Sequence, residues 1–273
     1  MVRITRIIII GCMINTALTV AGSDPSGGAG IQADLNTFSR LGVYGMSVIV
    51  ALTAQNTTGV TGVMDVPSEF VGKQWDSVMS DIPANAIKTG MLGNVSNIVV
   101  TADMIEKYGV TNVVVDPVMT STSGATLLAS DAIETLKQKL LPRALLVTPN
   151  ADEARILTGV EVRGQDDMEE AARRLREMGP RFVLVKGGHL EGDAVDLLFD
   201  GSVFNYFRSS RIGHTHIHGT GCVLSAAITA YLALGNPIEE AVRLAKDFIT
   251  EAIATSLRIG KGAWPCNASG LES

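Results

Sequence analysis

The residues able to do chemistry fall in short glycine-rich or polar clusters. The first is Ala21-Gly22-Ser23-Asp24-Pro25-Ser26-Gly27-Gly28-Ala29-Gly30, whose glycines let the backbone come close to a ligand. Its Gly28-x-Gly30-x-x-Ala33 subset meets the first half of a dinucleotide fingerprint, which also demands an acidic residue about 20 positions on, at the end of the second strand. No Asp or Glu lies between Asp34 and Asp65, and that strand ends Ala54-Gln55-Asn56. Nicotinamide chemistry is therefore disfavoured, and a tight turn without a ligand is the plainer alternative. The second cluster, His218-Gly219-Thr220-Gly221-Cys222, precedes an alanine-rich helical pattern. Successive N–H groups at a helix start converge on one anion and favour phosphate. The cluster lacks the Lys-Ser/Thr of a P-loop. A helix start also predicts a lowered thiol pKa for Cys222 and a role as proton acceptor; the alternative is a small buried cysteine.

Asp116, Asn150 and Glu153 offer hard oxygen atoms at the ends of predicted elements, suited to hydrated Mg²⁺ beside phosphates. Equally, Asn150 and Glu153 have the spacing of a helix capping box. Lys186 in Lys186-Gly187-Gly188 can set an ammonium beside a nucleotide phosphate or be an ordinary lysine at a turn. The run His214-Thr215-His216-Ile217-His218 puts alternate histidines on one strand face, where they and Cys222 can hold zinc, but no second ligand pair closes such a site.

These clusters must be positioned by alternating strands and helices. Ala17 to Ala21, Ser47 to Thr53, Ala86 to Thr89, Asn112 to Asp116, Ala144 to Thr148 and Phe182 to Lys186 read as strands. Between them, 29–41, 68–81, 95–108, 130–141, 151–157 and 167–178 have amphipathic helical spacing. Val113-Val114-Val115 is the kind of run a parallel sheet covered on both faces requires. Ala194 to Phe199 and Ser202 to Phe207, joined at Asp200-Gly201, predict an antiparallel hairpin, and two helices over 222–234 and 238–257 close the chain. The result is an α/β fold in one domain spanning 13–262. Residues 1–12 are set off as an extension, with Met13 an alternative start, and 263–273 as a tail.

With 273 residues, 46% apolar and 18% charged, the chain can bury an extensive core. Its 28 acidic against 22 basic residues give net −6, which argues against a nucleic-acid partner. Cys12, Cys222 and Cys266 form no disulfide or zinc-ribbon pattern, which suits a reducing compartment. Ile7 to Ile10 before Cys12 is too short for a signal segment, whose apolar region runs about 7 to 15 residues. No window of 18 or more apolar residues predicts a membrane span.

Taken in order, residues 21–34, Lys88-Thr89-Gly90-Met91-Leu92, Asp116-Pro117-Val118-Met119, Thr148-Pro149-Asn150, Lys186-Gly187-Gly188-His189 and His218-Gly219-Thr220-Gly221-Cys222 closely resemble the hydroxymethylpyrimidine/phosphomethylpyrimidine kinases of thiamine biosynthesis. The resemblance runs from about Asn15 to Ile259. It implies a ribokinase-like three-layer α/β/α sandwich with a mostly parallel central sheet and an antiparallel edge hairpin. It also implies a cytoplasmic homodimer using ATP and Mg²⁺. Two transfers are expected at one site: 4-amino-5-hydroxymethyl-2-methylpyrimidine to its monophosphate, then to the diphosphate. By the same resemblance Gly22, Ala29, Asp34, Gln55, Met91, Val118 and Cys222 line the pyrimidine pocket. The Asp34 carboxylate and Gln55 amide suit an aminopyrimidine edge, and Met91 and Val118 suit apolar walls. Asp116, Asn150 and Glu153 would organise Mg-ATP, with Asp116 and Glu153 towards the metal. Lys186 would meet the phosphates, and Gly219, Thr220, Gly221 and Cys222 would form the anion hole.

Cys222 stands where related sugar kinases carry an aspartate base. Two departures stand out: His214, His216 and Ile217 before the anion hole, and Ala263-Trp264 ahead of Pro265. A pyridoxal-type kinase shares every motif, and a non-catalytic pyrimidine or nucleotide sensor is the alternative of another class.

Overall fold

A computed structural model describes residues 14–119, 128–188, 193–213 and 217–272. The elements in order are β1 (Thr16–Gly22), α1 (Gly30–Arg40), β2 (Tyr44–Asn56), β3 (Gly59–Asp65), α2 (Ser68–Met79), β4 (Ala86–Thr89), α3 (Val95–Tyr108), β5 (Val113–Val115) and α4 (Ser130–Thr135). They continue with β6 (Leu146–Val147), α5 (Ala151–Thr158), α6 (Gln165–Glu177), β7 (Phe182–Lys186), β8 (Ala194–Phe199), β9 (Phe204–Ser209), β10 (Ile217–His218), α7 (Thr220–Ala233), α8 (Ile238–Ala254) and β11 (Trp264–Pro265).

Among the described residues nine strands form one sheet in the order β3-β2-β1-β4-β5-β6-β7-β8-β9. The run from β2 to β7 is parallel, and both ends turn antiparallel, through β2–β3 on one side and β7–β8–β9 on the other. The sequence predicts the second edge but not the first. Every residue of β1, β4 and β5 is buried, as expected of strands covered on both faces. One apolar layer packs α2, α3, α4, α5 and α6 on one face, around Trp75, Ile98 and Leu175. The other packs α1, α7 and α8, around Phe38, Ile228 and Ala245. The helix expected over 130–141 changes geometry after Thr135, passing through a π-turn at Leu136–Leu140 into a 3₁₀ turn at Leu141–Arg143. Pro142 has no N–H to continue an α-helical ladder.

α7 is buried almost all round, from Val223 to Ala230 without a break, and its small side chains let it lie close to the sheet. Beyond it, β10 and β11 pair in parallel, and Cys266 N–H donates to the His218 carbonyl at 3.1 Å. Cys266, Asn267 and Ala268 are buried. Within the stretch after Gly262 that the sequence sets apart as a tail, Pro265 to Ala268 thus pack into the body of the domain, while 269–272 are exposed. Residues 1–12, Met13, His214 and His216 lie outside the described residues.

Candidate active site

Parallel strands deliver their final residues to one sheet edge, where open α/β sheets bind ligands. β1 ends at Gly22, β4 leads to Gly90-Met91 and β5 leads to Asp116. β7 ends at Lys186, which bridges to Asn150. A cavity of about 430 Å³ opens there, and of the fourteen residues to which the resemblance gives a pyrimidine, nucleotide, metal or anion-hole role, all but Asp34 line it.

Two loops close on each other above the strand ends. Asp24 organises the first: its Oδ1 accepts from the Ser26 N–H at 2.9 Å and hydroxyl at 2.7 Å, and its Oδ2 from the Ala29 N–H at 2.9 Å. Burial alone would raise the Asp24 pKa, but these bonds and His218 hold it below the ordinary carboxylate value. The second loop starts α7. Gly219 caps that helix at φ 83°, and a Cβ there would stand 1.9 Å from the Gly28 carbonyl oxygen. Only glycine fits, both for the left-handed backbone and for this approach. At Gly221 an added Cβ would meet Lys186 Nζ at 3.2 Å, so the backbone amides of the helix start and the lysine ammonium face the same small volume. Such a junction of N–H dipoles and fixed positive charge is suited to a phosphoryl group.

Lys186 Nζ donates to Asp116 Oδ1 at 3.0 Å, and Ser225 Oγ donates to Asp116 Oδ2 at 3.1 Å. Burial works against the charged carboxylate, yet the Lys186 and Lys88 ammoniums keep Asp116 ionised with a lowered pKa. Asn150 and Glu153 form the reciprocal capping box of α5: Glu153 N–H donates to Asn150 Oδ1 at 2.9 Å and Asn150 N–H to Glu153 Oε2 at 2.8 Å. Capping and cavity lining therefore coexist. Burial pushes Glu153 up to about 7, partly offset by Lys186.

One expectation is corrected, and one open alternative is tested only at the two ligands that are described. The helix start predicts a lowered thiol at Cys222; burial instead pushes it up to about 11, outweighing the pull of the Lys88 ammonium and the Gly30 N–H. The sequence also leaves zinc open at His218 and Cys222, but His218 Nε2 lies 2.9 Å from Asp24 Oδ2 and 3.2 Å from Gln55 Nε2. Among the described residues no cluster of three or more His, Cys, Asp or Glu is arranged to hold a metal.

Asp34 sits below the cavity floor. Its Oδ1 accepts from Lys88 Nζ at 2.6 Å and its Oδ2 from the Thr19 hydroxyl at 2.6 Å, with both charged side chains wholly buried. Lys88 lines the cavity. Burial alone would lower its pKa, but the neighbouring Asp34 carboxylate, with Asp116, holds it as an ammonium. The sequence reading assigns Lys88 no role, although a lysine inside the apolar strand Ala86-Ile87-Lys88-Thr89 is itself a signal, because such a residue is almost never buried without a partner.

Comparison with known proteins places this geometry among kinases. A sequence family described as phosphomethylpyrimidine kinase matches residues 24–267. The Bacillus subtilis hydroxymethylpyrimidine/phosphomethylpyrimidine kinase is 47% identical over 256 residues, covering 93% of this chain and 94% of the relative. The Geobacter sulfurreducens thiamine biosynthesis bifunctional protein ThiED is 52% identical over 253 residues, but the match covers 92% of this chain and only 52% of that longer protein. Among solved structures, phosphomethylpyrimidine kinase of Clostridium difficile superposes with TM-score 0.79 at 48% identity, covering 87% of this chain and 99% of the other. An ADP complex of Bacillus subtilis pyridoxal kinase gives TM-score 0.87 at 38% identity, covering 94% and 98%.

Proposed function

The chain belongs to the phosphomethylpyrimidine kinase family, and from that premise we propose that it transfers phosphate from ATP to 4-amino-5-hydroxymethyl-2-methylpyrimidine and then to the resulting monophosphate. The observation that carries this reading is the meeting, in one cavity, of the α7 start and Lys186 with a pocket walled by Gln55, Met91 and Val118. The first pair can hold a phosphoryl group, and the second can hold a flat, partly polar ring.

In phosphoryl transfer through a loose transition state, the protein's task is to align donor and acceptor and to neutralise charge on the group in flight. The amides of Gly219 to Cys222 would receive that group, and Lys186 would add a positive charge held in place by Asp116. Asn150 and Lys186 would hold the nucleotide. Asp116 and Glu153 fit a magnesium ion carried on its phosphates, since that ion needs one or two carboxylates and keeps its waters. A bound Mg²⁺ would neutralise phosphate charge. Burial of Glu153, which disfavours its ionised form, is what a nearby cation would relieve.

Cys222 stands at the acceptor end and would take the hydroxymethyl proton in the first transfer. Its raised pKa limits the share of thiolate. The second acceptor is already an anionic phosphate oxygen and needs no base, so one site can serve both steps with different demands on Cys222.

A homodimer would suit the exposed cross-strand pair Leu52 and Met64 on the β2–β3 edge. The free thiols Cys222 and Cys266 suit a reducing cytoplasm. Among the described residues no helix is long and apolar enough to cross a membrane.

The test is product mass after incubation with Mg-ATP and, separately, the hydroxymethyl aminopyrimidine, pyridoxal and pyridoxine. Two phosphates added to the aminopyrimidine are expected. Phosphate on the pyridoxal compounds alone would reassign the enzyme to vitamin B6 salvage, and no product would leave a sensor.

A further inference from the structure

Gln55 reaches the cavity from the end of β2, and its amide sits between two polar neighbours whose hydrogens are already committed. On one side is His218 Nε2, 3.2 Å from the amide Nε2 and 2.9 Å from Asp24 Oδ2. Asp24 takes the Ser26 N–H and hydroxyl and the Ala29 N–H on its two oxygens, so it is an acceptor throughout. The imidazole Nε2 facing it must carry a hydrogen, and an N–H given to Asp24 cannot accept one from an amide NH₂. On the other side, Thr53 Oγ lies 3.3 Å from Gln55 Oε1, but its single hydrogen goes to the Ser23 carbonyl at the shorter distance of 2.8 Å. What Thr53 turns to Gln55 is a lone pair.

With Nε2 on His218 and Oε1 on Thr53, the amide opposes donor to donor and acceptor to acceptor. Turning it by 180° about its last bond removes both conflicts: Oε1 then shares the His218 Nε2–H with Asp24 in a three-centre bond, and Nε2 donates to Thr53 Oγ. Amide orientation is assigned by such partners. One amide hydrogen is then left over for the cavity.

We propose that Asp24 and His218 are positioning residues that lock the Gln55 amide with its carbonyl towards His218, so that Gln55 offers an N–H to the acceptor ring. The ring edge it meets is then an unprotonated nitrogen, not an amino group. This rests on the phosphoryl-acceptor reading of the cavity, but the proton order can be examined without any substrate. It also gives the interlocked loops a purpose: the same Asp24 that shapes the first glycine loop sets the hydrogen-bond polarity of the acceptor pocket through a residue next to the anion hole.

The first measurement is long-range ¹H–¹⁵N correlation on the labelled wild-type protein. A protonated His218 Nε2 is expected, and an unprotonated Nε2 overturns the proposal. The second is Gln55→Glu, which keeps the shape but replaces the NH₂ by a second acceptor oxygen and so removes the N–H. The KM for the aminopyrimidine should rise at least about tenfold while the KM for ATP stays put. An unchanged or lower aminopyrimidine KM would mean that Gln55 accepts from the ring's amino group, and the proposal fails.

The third compares the two analogues with CH in place of one ring nitrogen. One of them should lose at least about tenfold in kcat/KM with the wild type and much less with Gln55→Glu or Asp24→Asn. Equal losses in all three proteins would count against the coupling. If wild-type protein shows the predicted imidazole but turns over no pyrimidine, the functional reading fails and the proton order stands.

Discussion

At Cys222 two features pull in opposite directions, and burial wins: the thiol is pushed up to about 11 despite the helix start and the Lys88 ammonium. Ionising it at neutral pH costs about 5 kcal/mol. If the thiolate takes the hydroxymethyl proton, kcat for the first transfer rises towards tenfold per pH unit between about pH 7 and 9, still below the thiol pKa. The second transfer stays flat over the same range. Cys222→Ala should lower the first transfer by about a hundredfold and the second by less than about tenfold. Separate single-turnover rates for the two steps read this directly, and parallel pH profiles or equal losses would remove Cys222 as the base. Residue types make the anion hole legible in the sequence, because glycines beside a helix start have a mechanical meaning. The sign of the thiol shift was not legible, since it depends on how many atoms surround Sγ and on Lys88 arriving from another strand.

Between elements, the buried Lys88–Asp34 pair pins β4 to α1, and the Gly219 turn lets α7 begin against the first loop. Removing one partner of a wholly buried ion pair leaves an uncompensated charge, a cost of about 3–5 kcal/mol. Lys88→Met should therefore lower unfolding stability in urea by about that much, and the double variant Lys88→Met/Asp34→Leu should recover a large part of it. A double variant no better than the single one would show that the pair does more than balance charge. Gly219→Ala puts a Cβ 1.9 Å from the Gly28 carbonyl at positive φ. It should cost about 1–3 kcal/mol in stability from the backbone alone and a larger share of kcat, because the amides of the anion hole move with it. Melting temperature and single-turnover rate measured together check both. Six parallel strands were readable from short apolar runs between amphipathic helices. β3 was not, because Gly59-Val60-Thr61-Gly62-Val63-Met64-Asp65 faces outward along an edge and carries no alternating apolar signal. β10 and β11 are two residues each, too short for any period to register.

Across the molecule, the hairpin that carries Gln55 is held by a contact between segments some 200 residues apart. Thr57, at the turn of the β2–β3 hairpin, accepts at its carbonyl from the Ala263 N–H at 2.9 Å, and its hydroxyl oxygen lies 3.2 Å from both the Lys261 and Gly262 N–H groups. From there the chain runs directly into β11, which pairs with β10 and so reaches His218. The hairpin bearing Gln55, the closing loop and the anion hole are thus tied in series. Composition shows no such connection, since Gly260-Lys261-Gly262 fits the family resemblance without saying what it touches until Thr57 is placed against it. A Cβ at Gly262 would stand 1.9 Å from the Thr57 carbonyl oxygen and 2.4 Å from its carbon. Backbone on both sides leaves no flexible side chain to yield, so Gly262→Ala must push the hairpin away. Because Lys186, Asn150 and Asp116 lie at or just beyond the ends of other strands, the nucleotide end should be spared. The expected result is a rise of at least about tenfold in the aminopyrimidine KM, with the KM for ATP changed less than about threefold. Equal rises in both would mean the strap steadies the whole fold, and no change in either would mean that the hairpin carries Gln55 without help from the chain's far end.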